Sequence, residues 1–98
     1  MYLKVHHTPM GSIVALCDAE LIGRVLVNKK YRLDLRGHAS FYQGKLVGKE
    51  EAVAALTGAE NVNIVGKKAL SAAASAGLAV SHAVTIDGIP HLQAYKIV

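Results

Sequence analysis

Residues 61–78 read NVNIVGKKALSAAASAGL, and this segment decides the fold class. The side-chain oxygen of Asn63 can cap a first helical turn, and Gly77 can adopt the left-handed conformation that ends a helix. Small side chains recur every four residues between these two positions, so a helix here can lie close to a sheet. The segment therefore predicts one helix that Asn63 caps, that Gly77 ends and that packs on strands formed elsewhere.

Both ends of the chain show the pattern of a β-hairpin. Residues 2–7 alternate like a strand, and residues 13–17 form a continuous apolar run, as in a strand covered on both faces. A Thr-Pro-Met-Gly turn separates the two. Near the C-terminus, an Asp-Gly pair at 87–88 is the preferred two-residue hairpin turn, and it lies between apolar runs at 83–86 and 89–97.

The middle of the chain supplies shorter elements. Residues 18–23 predict a short helical turn capped by Asp18. Residues 30–36 alternate strictly, which predicts a strand with its cations on the outer face. Residues 45–47 predict a short edge strand, and residues 49–57 predict a second helix with acidic residues in its first turn.

Paired helices between two hairpins are typical of an α+β protein. We predict a single domain over residues 1–98, with a mostly antiparallel sheet, hairpins at both ends and two helices packed on one face. Hydrophobic residues make up 52% of the 98 residues, which is enough for one core.

Charge and cysteine content narrow the functional classes. The net charge of +4 suits an anionic partner. Cys17 is the only cysteine, so an internal disulfide framework is excluded and a reducing cytoplasm is expected. The sequence shows neither a basic-then-apolar leader nor an apolar stretch that could span a bilayer, so we expect a cytoplasmic protein without membrane contact.

Four short motifs carry a family resemblance. They are CDAELIG at 17–23, FYQG at 41–44, NIVG at 63–66 and GIPHLQ at 88–93. In this order and spacing the chain resembles, over essentially its whole length, the small archaeal proteins grouped as "domain of unknown function 424". The resemblance implies an archaeal, intracellular protein and brings no established activity. Family members often have an acidic residue after the Val-Gly pair, where this chain has two lysines, so a basic function there is not implied as a family trait.

Sequence motifs for metal, nucleophilic or nucleotide chemistry are weak. His6 and His7 are adjacent on a strand and point to opposite faces, so they cannot easily share one ion. Cys17 has no Cys-x-x-Cys partner and ends an apolar strand, where a free cysteine usually packs as a small hydrophobe. Lys67 and Lys68 follow a glycine, but the full phosphate-loop pattern is absent. We predict no metal and no cofactor.

The leading functional hypothesis comes from the basic segment 24–36, where five cations accompany a single acid. Strand alternation places Lys30, Arg32 and Arg36 on one outer face, at a spacing close to the phosphate repeat of an extended nucleic-acid strand. Tyr42, on the following loop, can stack on bases. This predicts a non-catalytic module that binds RNA or a ribonucleoprotein. A solvated edge strand, protected by charge from aggregation, would give the same pattern.

An alternative hypothesis places a site on the C-terminal strand. His91, Gln93 and Tyr95 are two residues apart and share one face, so an imidazole, an amide and a phenol can meet a polar ligand there. Asp18 and Glu20 follow the neighbouring apolar strand and supply carboxylates. This pattern fits a small enzyme or ligand-binding domain, or a structural network joining sheet to loop. A further alternative is a protein-interaction subunit that forms a homodimer through a sheet edge.

Overall fold

The structure is a computed structural model that describes residues 1–95. It contains eight strands and three α-helices, together with one 3₁₀ turn at Ala19–Leu21. The strands are β1 (Tyr2–Thr8), β2 (Gly11–Cys17), β3 (Val25–Val27), β4 (Arg32–Asp34), β5 (Lys45–Leu46), β6 (Val62–Val65), β7 (Val84–Ile86) and β8 (Ile89–Ala94). The helices are α1 (Ala39–Tyr42), α2 (Lys49–Leu56) and α3 (Lys67–Ser75). The predicted last strand extended over residues 96–97, which lie outside the described residues.

Six strands form one sheet in the order β5-β1-β2-β6-β8-β7. Both predicted terminal hairpins are present, as β1–β2 and β7–β8, and every neighbouring pair except β2–β6 is antiparallel. The parallel pair lies at the centre, with Val14 opposite Val62 and Cys17 opposite Val65. Strands β3 and β4 form a separate two-stranded hairpin. The α+β prediction is therefore confirmed.

The large sheet is covered on both faces. On the helix face, Leu16, Ile64 and Leu92 pack in one buried cluster with Leu56 of α2 and Ala69 of α3. On the opposite face, a second buried cluster joins Ala15, Cys17 and Val65 to Leu26 and Leu35, which flank or belong to the β3–β4 hairpin. We call this second side the hairpin face. Because β2 and β6 are central and covered on both sides, their sequences are nearly continuous apolar runs.

The predicted start of the helix in residues 61–78 is wrong. Val62–Val65 is the buried strand β6, and Asn63 lies in that strand rather than at a helix cap. A short apolar run buried between two strands cannot be told from a helical segment by periodicity alone. The helix begins at Lys67 and ends as expected: Gly77 has φ of 87°, and the Leu78 amide donates to the Ala73 carbonyl at 3.1 Å.

The side chain that caps α3 comes from a distant part of the chain. Asp18 immediately follows β2, and its carboxylate accepts hydrogen bonds from the Lys68 amide at 3.1 Å and the Ala69 amide at 2.7 Å. These are the two amides that an N-cap side chain normally satisfies, and the actual cap residue, Gly66, has no side chain. Asp18 therefore does not cap its own turn, Ala19–Leu21, as the sequence predicted.

Gly66 makes this arrangement possible in two ways. Its backbone has φ of 109° and ψ of 159°, a region that is essentially restricted to glycine. A Cβ atom at this position would also overlap the carboxyl group of Asp18. The turn from β6 into α3 therefore depends on the absence of a side chain.

We expect Gly66→Ala to destabilise the fold far more than Gly77→Ala. Gly77 also has a positive φ, but a Cβ there meets no atom within 4 Å, so only backbone strain of about 1 kcal/mol is added. Gly66→Ala adds greater strain and displaces Asp18 from the α3 amides, for a total of at least about 3 kcal/mol. Urea unfolding of both variants measures the difference. Equal losses would contradict the role given to the contact between Gly66 and Asp18.

Candidate functional site

A cleft of about 400 Å³ opens on the hairpin face, between the β3–β4 hairpin and the β7–β8 hairpin. The apolar part of its lining consists of Leu33, Val84 and Ile86. Its polar and aromatic lining consists of Tyr31, Arg32, Tyr42, His82, His91 and Gln93. The lining contains no carboxylate, so the cleft favours a neutral or anionic ligand.

The cleft combines parts of both predicted sites. Arg32 and Tyr42 belong to the predicted nucleic-acid site, whereas His91 and Gln93 belong to the alternative site on the C-terminal strand. The sequence patterns placed these two groups of residues in separate sites. In the structure, the β3–β4 hairpin packs on the sheet and brings them together. The remaining predicted residues, which are Lys30, Arg36, Asp18, Glu20 and Tyr95, do not line this cleft.

The predicted row of cations along one strand does not form. Only Arg32 lies in β4, because the strand is limited to Arg32–Asp34 by a turn at each end. At the first turn, the Asn28 side-chain oxygen accepts from the Lys30 amide at 2.9 Å. At the second turn, the Asp34 carboxylate accepts from the Arg36 amide at 3.1 Å. Asn and Asp commonly bond the backbone two residues on, and here these bonds separate Lys30 and Arg36 into different turns.

One carboxylate oxygen of Asp34 accepts two backbone hydrogen bonds of its own turn. Its carboxylate also accepts from the Gly37 amide at 2.7 Å. The hydrogen bond from Gly37, with a smaller contribution from that of Arg36, lowers the pKa of Asp34 below its ordinary value. The carboxylate therefore stays charged at neutral pH and fixes the chain where β4 ends.

Tyr42 cannot stack on a base, contrary to the prediction. Its side chain is 3% exposed, and its hydroxyl donates to the Asn63 side-chain oxygen at 2.8 Å. Burial raises the pKa of Tyr42, so the phenol is neutral and acts as a structural link between α1 and β6. The exposed aromatic residue at this place is Tyr31, which is 44% exposed and lines the cleft.

Two lining residues were missed by the sequence reasoning. The strand predicted over residues 30–36, with its cations outward, places Tyr31 on the inner face, although the preceding Asn-Lys-Lys could have indicated a turn there. His82 lies in an irregular segment between α3 and β7 and carries no recognisable motif. Only the tertiary fold brings His82 to the cleft.

His91 presents a defined ring tautomer. Its Nδ1 lies 3.0 Å from the Ile64 carbonyl oxygen, and because a carbonyl can only accept, Nδ1 carries the proton. Burial lowers the pKa of His91 below its ordinary value, an effect that the bond to Ile64 partly opposes. At neutral pH the ring is therefore uncharged, and Nε2 carries a lone pair that can accept a hydrogen bond.

Gln93, near the end of β8, is paired with Tyr95, which follows the strand. The Gln93 side-chain amide donates to the Tyr95 hydroxyl at 3.2 Å, which leaves the Gln93 carbonyl oxygen as an acceptor. Tyr95 lines a second cleft of about 320 Å³, which also includes His38 and Phe41. The two clefts share Leu33 and Gln93, so they adjoin on the hairpin face.

The carboxylates predicted for the alternative site are elsewhere. Asp18 is buried and caps α3, whereas Glu20 is exposed on the 3₁₀ turn.

Cys17 is buried, and burial raises the pKa of its thiol to about 12, so it stays protonated and packs in the core. Among residues 1–95, no group of three His, Cys, Asp or Glu side chains is placed to hold a metal ion.

Asp18→Ala should reduce stability by about 2–3 kcal/mol, because two amides at the start of α3 lose a charged acceptor. Glu20→Ala is the matched control, since this acid lies two positions away but is exposed, and it should change stability by less than about 0.5 kcal/mol. Chemical denaturation of the two variants provides the comparison. Similar stabilities would argue against a capping role for Asp18.

The lowered pKa of His91 makes stability depend on pH. The unfolded histidine, with a pKa near 6.5, binds a proton more readily than the folded one. The contribution of His91 is therefore complete above about pH 6.5 and is lost as the pH falls toward the lower folded pKa. We expect His91→Gln to lose less stability than wild type between about pH 7.5 and about pH 5 in urea unfolding. His7→Gln, which removes an exposed histidine, is the control and should match wild type. If His91→Gln and wild type lost equal stability on acidification, this prediction would be contradicted.

Comparison with known proteins gives the family but no activity. No curated protein matched the chain. Among solved structures, the chain is similar to the crystal structure of an uncharacterized conserved protein from Methanopyrus kandleri, with a TM-score of 0.80 and 28% sequence identity. That alignment covers 98% of this chain and 93% of the other. No helix within residues 1–95 is long and apolar enough to cross a membrane. The family model described as "Protein of unknown function (DUF424)" matches residues 5–97, and the chain belongs to this family.

Proposed function

We propose that this protein is a non-catalytic module that binds single-stranded RNA, free or within a ribonucleoprotein, through the β3–β4 hairpin. The observation that carries the proposal is the placement of Tyr31. This exposed aromatic residue directly follows Lys29 and Lys30 and precedes Arg32, and it lines the cleft on the hairpin face. An aromatic platform beside cations is the combination that single-stranded RNA requires.

The charge around this hairpin is positive. Five cations lie between residues 24 and 36, which are Arg24, Lys29, Lys30, Arg32 and Arg36. The acid within the segment, Asp34, is bound to turn amides, and Asp87 lies 3.8 Å from Arg24. The cations do not form the straight row that the sequence predicted. Their contacts with phosphates would therefore follow the curved outline of the hairpin.

The hairpin tip is held to the large sheet. The Asn28 side-chain oxygen accepts from the Lys30 and Tyr31 amides, and its nitrogen donates to the Thr85 carbonyl at 2.9 Å. One side chain thus fixes the turn that carries Tyr31 and attaches it to β7. Because the turn is pre-organised, less conformational freedom would be lost when RNA binds.

A second candidate function is the binding of a small polar ligand, by a ligand-binding domain or a small enzyme. It is favoured by the cleft itself, which is concave and has His91 and Gln93 on its wall. Calorimetric titration with free nucleoside monophosphates distinguishes the two candidates. Binding of a free nucleotide at least as tight as that of an oligonucleotide would favour the small-ligand function.

The family and composition suggest the cellular setting. A single buried thiol suits a reducing cytoplasm, and the similarity to a Methanopyrus kandleri protein supports an archaeal origin. Dimerisation through a sheet edge stays a prediction. The two edges of the large sheet are β5, with two residues, and β7, with three.

Fluorescence anisotropy with a short labelled RNA at several salt concentrations tests the RNA proposal. The double variant Lys30→Gln/Arg32→Gln should lower the slope of log affinity against log salt by about 1.4, or about 0.7 for each lost phosphate contact. Tyr31→Ala should weaken binding by about 1–3 kcal/mol with little change in slope, because stacking releases no counterions.

The matched control is Lys67→Gln/Lys68→Gln, which removes the same charge from the start of α3. It should leave the slope close to that of wild type. Absence of binding at low salt would remove the RNA proposal. Equal slopes for the two double variants would show that the β3–β4 hairpin is not the RNA-binding surface.

A further inference from the structure

We propose that the cleft between the β3–β4 and β7–β8 hairpins holds one base of the bound RNA and prefers a base with an exocyclic amino group, such as cytosine, over uracil. This inference rests on the proposed RNA-binding function. It adds base selectivity to a surface whose cations alone would bind RNA of any sequence.

The size and lining of the cleft suit a single base. Its volume of about 400 Å³ is within the range of small-ligand pockets. Leu33, Val84 and Ile86 provide apolar contacts for a planar ring, and the exposed ring of Tyr31 is available for a base to stack on. A base that left an RNA strand here would exchange water for apolar and aromatic contacts.

The selectivity comes from two hydrogen-bond acceptors. His91 and Gln93 lie two positions apart on β8 and share its hairpin face, because Leu92 between them packs on the helix face. The bond from His91 Nδ1 to Ile64 leaves Nε2 as an acceptor, and no bond from the described residues to Nε2 is present. The Gln93 amide nitrogen donates to Tyr95, which leaves its carbonyl oxygen as the second acceptor.

An amino group matches these acceptors and a carbonyl oxygen does not. The N4 amino group of cytosine has two hydrogens to donate, whereas uracil has a carbonyl oxygen at the same position. A carbonyl oxygen placed against the lone pair of His91 Nε2 would lose its water without gaining a hydrogen bond there. The low pKa of His91 supports this preference, because the neutral ring keeps its Nε2 lone pair at neutral pH.

Arg32 adds a cation from a different strand to the lining of the cleft. It lies in β4, lines the cleft and is exposed. Neither of the side-chain ion pairs within residues 1–95 includes Arg32. Its guanidinium can therefore contact the phosphate of the nucleotide whose base enters the cleft.

The test compares oligocytidine and oligouridine of equal length by fluorescence anisotropy at neutral pH. The two bases are pyrimidines of the same size, so a difference in affinity reports the hydrogen-bonding edge rather than the stacking area. We expect oligocytidine to bind about 5-fold more tightly, as one favourable hydrogen bond implies. His91→Phe keeps a planar ring but removes both nitrogens, and it should abolish the preference.

Two further variants complete the test. Gln93→Leu removes the second acceptor at an exposed position, so it reports on the cleft even where His91→Phe does not fold. It should reduce the preference, whereas His7→Phe, on the exposed part of β1, should keep it. Equal binding of both RNAs by wild type, or tighter binding of oligouridine, overturns the inference and leaves the RNA-binding function standing. Binding of neither RNA overturns both. A preference that survives His91→Phe and Gln93→Leu also overturns the inference.

Discussion

The capping of α3 by Asp18 is the interaction on which the rest of the structure depends. The carboxylate lies where β2 ends, and it satisfies two amides of a helix that begins about fifty residues later. The same residue hydrogen-bonds through its own amide to the Val65 carbonyl at 3.0 Å. One residue therefore joins the parallel strand pair to the helix that covers it. Because the amides are at the start of α3, a charged acceptor is stabilising there.

This junction explains why two of the family motifs lie together. The segment that begins at Cys17 supplies the carboxylate, and the segment that ends at Gly66 supplies a backbone whose lack of a side chain leaves room for it. The Gly66 amide also donates to the Pro90 carbonyl at 2.9 Å, which brings in a third motif. The remaining motif, FYQG at 41–44, is joined to β6 by the hydroxyl of Tyr42, which donates to Asn63. The residues that carry the family resemblance are thus, in large part, those that hold the centre of the sheet together.

The proposed binding surface lies on the opposite side of this framework. A rigid sheet and a separate hairpin form the two walls of the cleft, and Asn28 ties the hairpin tip to β7. The chemistry on the two walls differs: β4 contributes a cation, and β8 contributes two acceptors. In a nucleotide, the phosphate can contact the cation of β4 while the base meets the acceptors of β8. A simple anion could use only the cation, so the cleft favours a nucleotide-containing ligand.

The sequence by itself determined the features that depend on neighbouring residues. Both terminal hairpins, the end of α3 at Gly77 and the position of α2 follow from turn and capping preferences that act within a few residues. Tertiary structure decided the rest. The segment at 62–65 became a strand because it is paired on both sides. Tyr42 is buried in the apolar cluster of the hairpin face, and its hydroxyl is satisfied by a residue twenty-one positions away. The cleft is lined by residues from both β4 and β8. No pattern of neighbouring residues in the sequence indicates that these two strands lie close together. Contacts between residues far apart in the chain are fixed by packing and by the pairing of buried polar groups, whereas local periodicity reports only which side of an element is apolar.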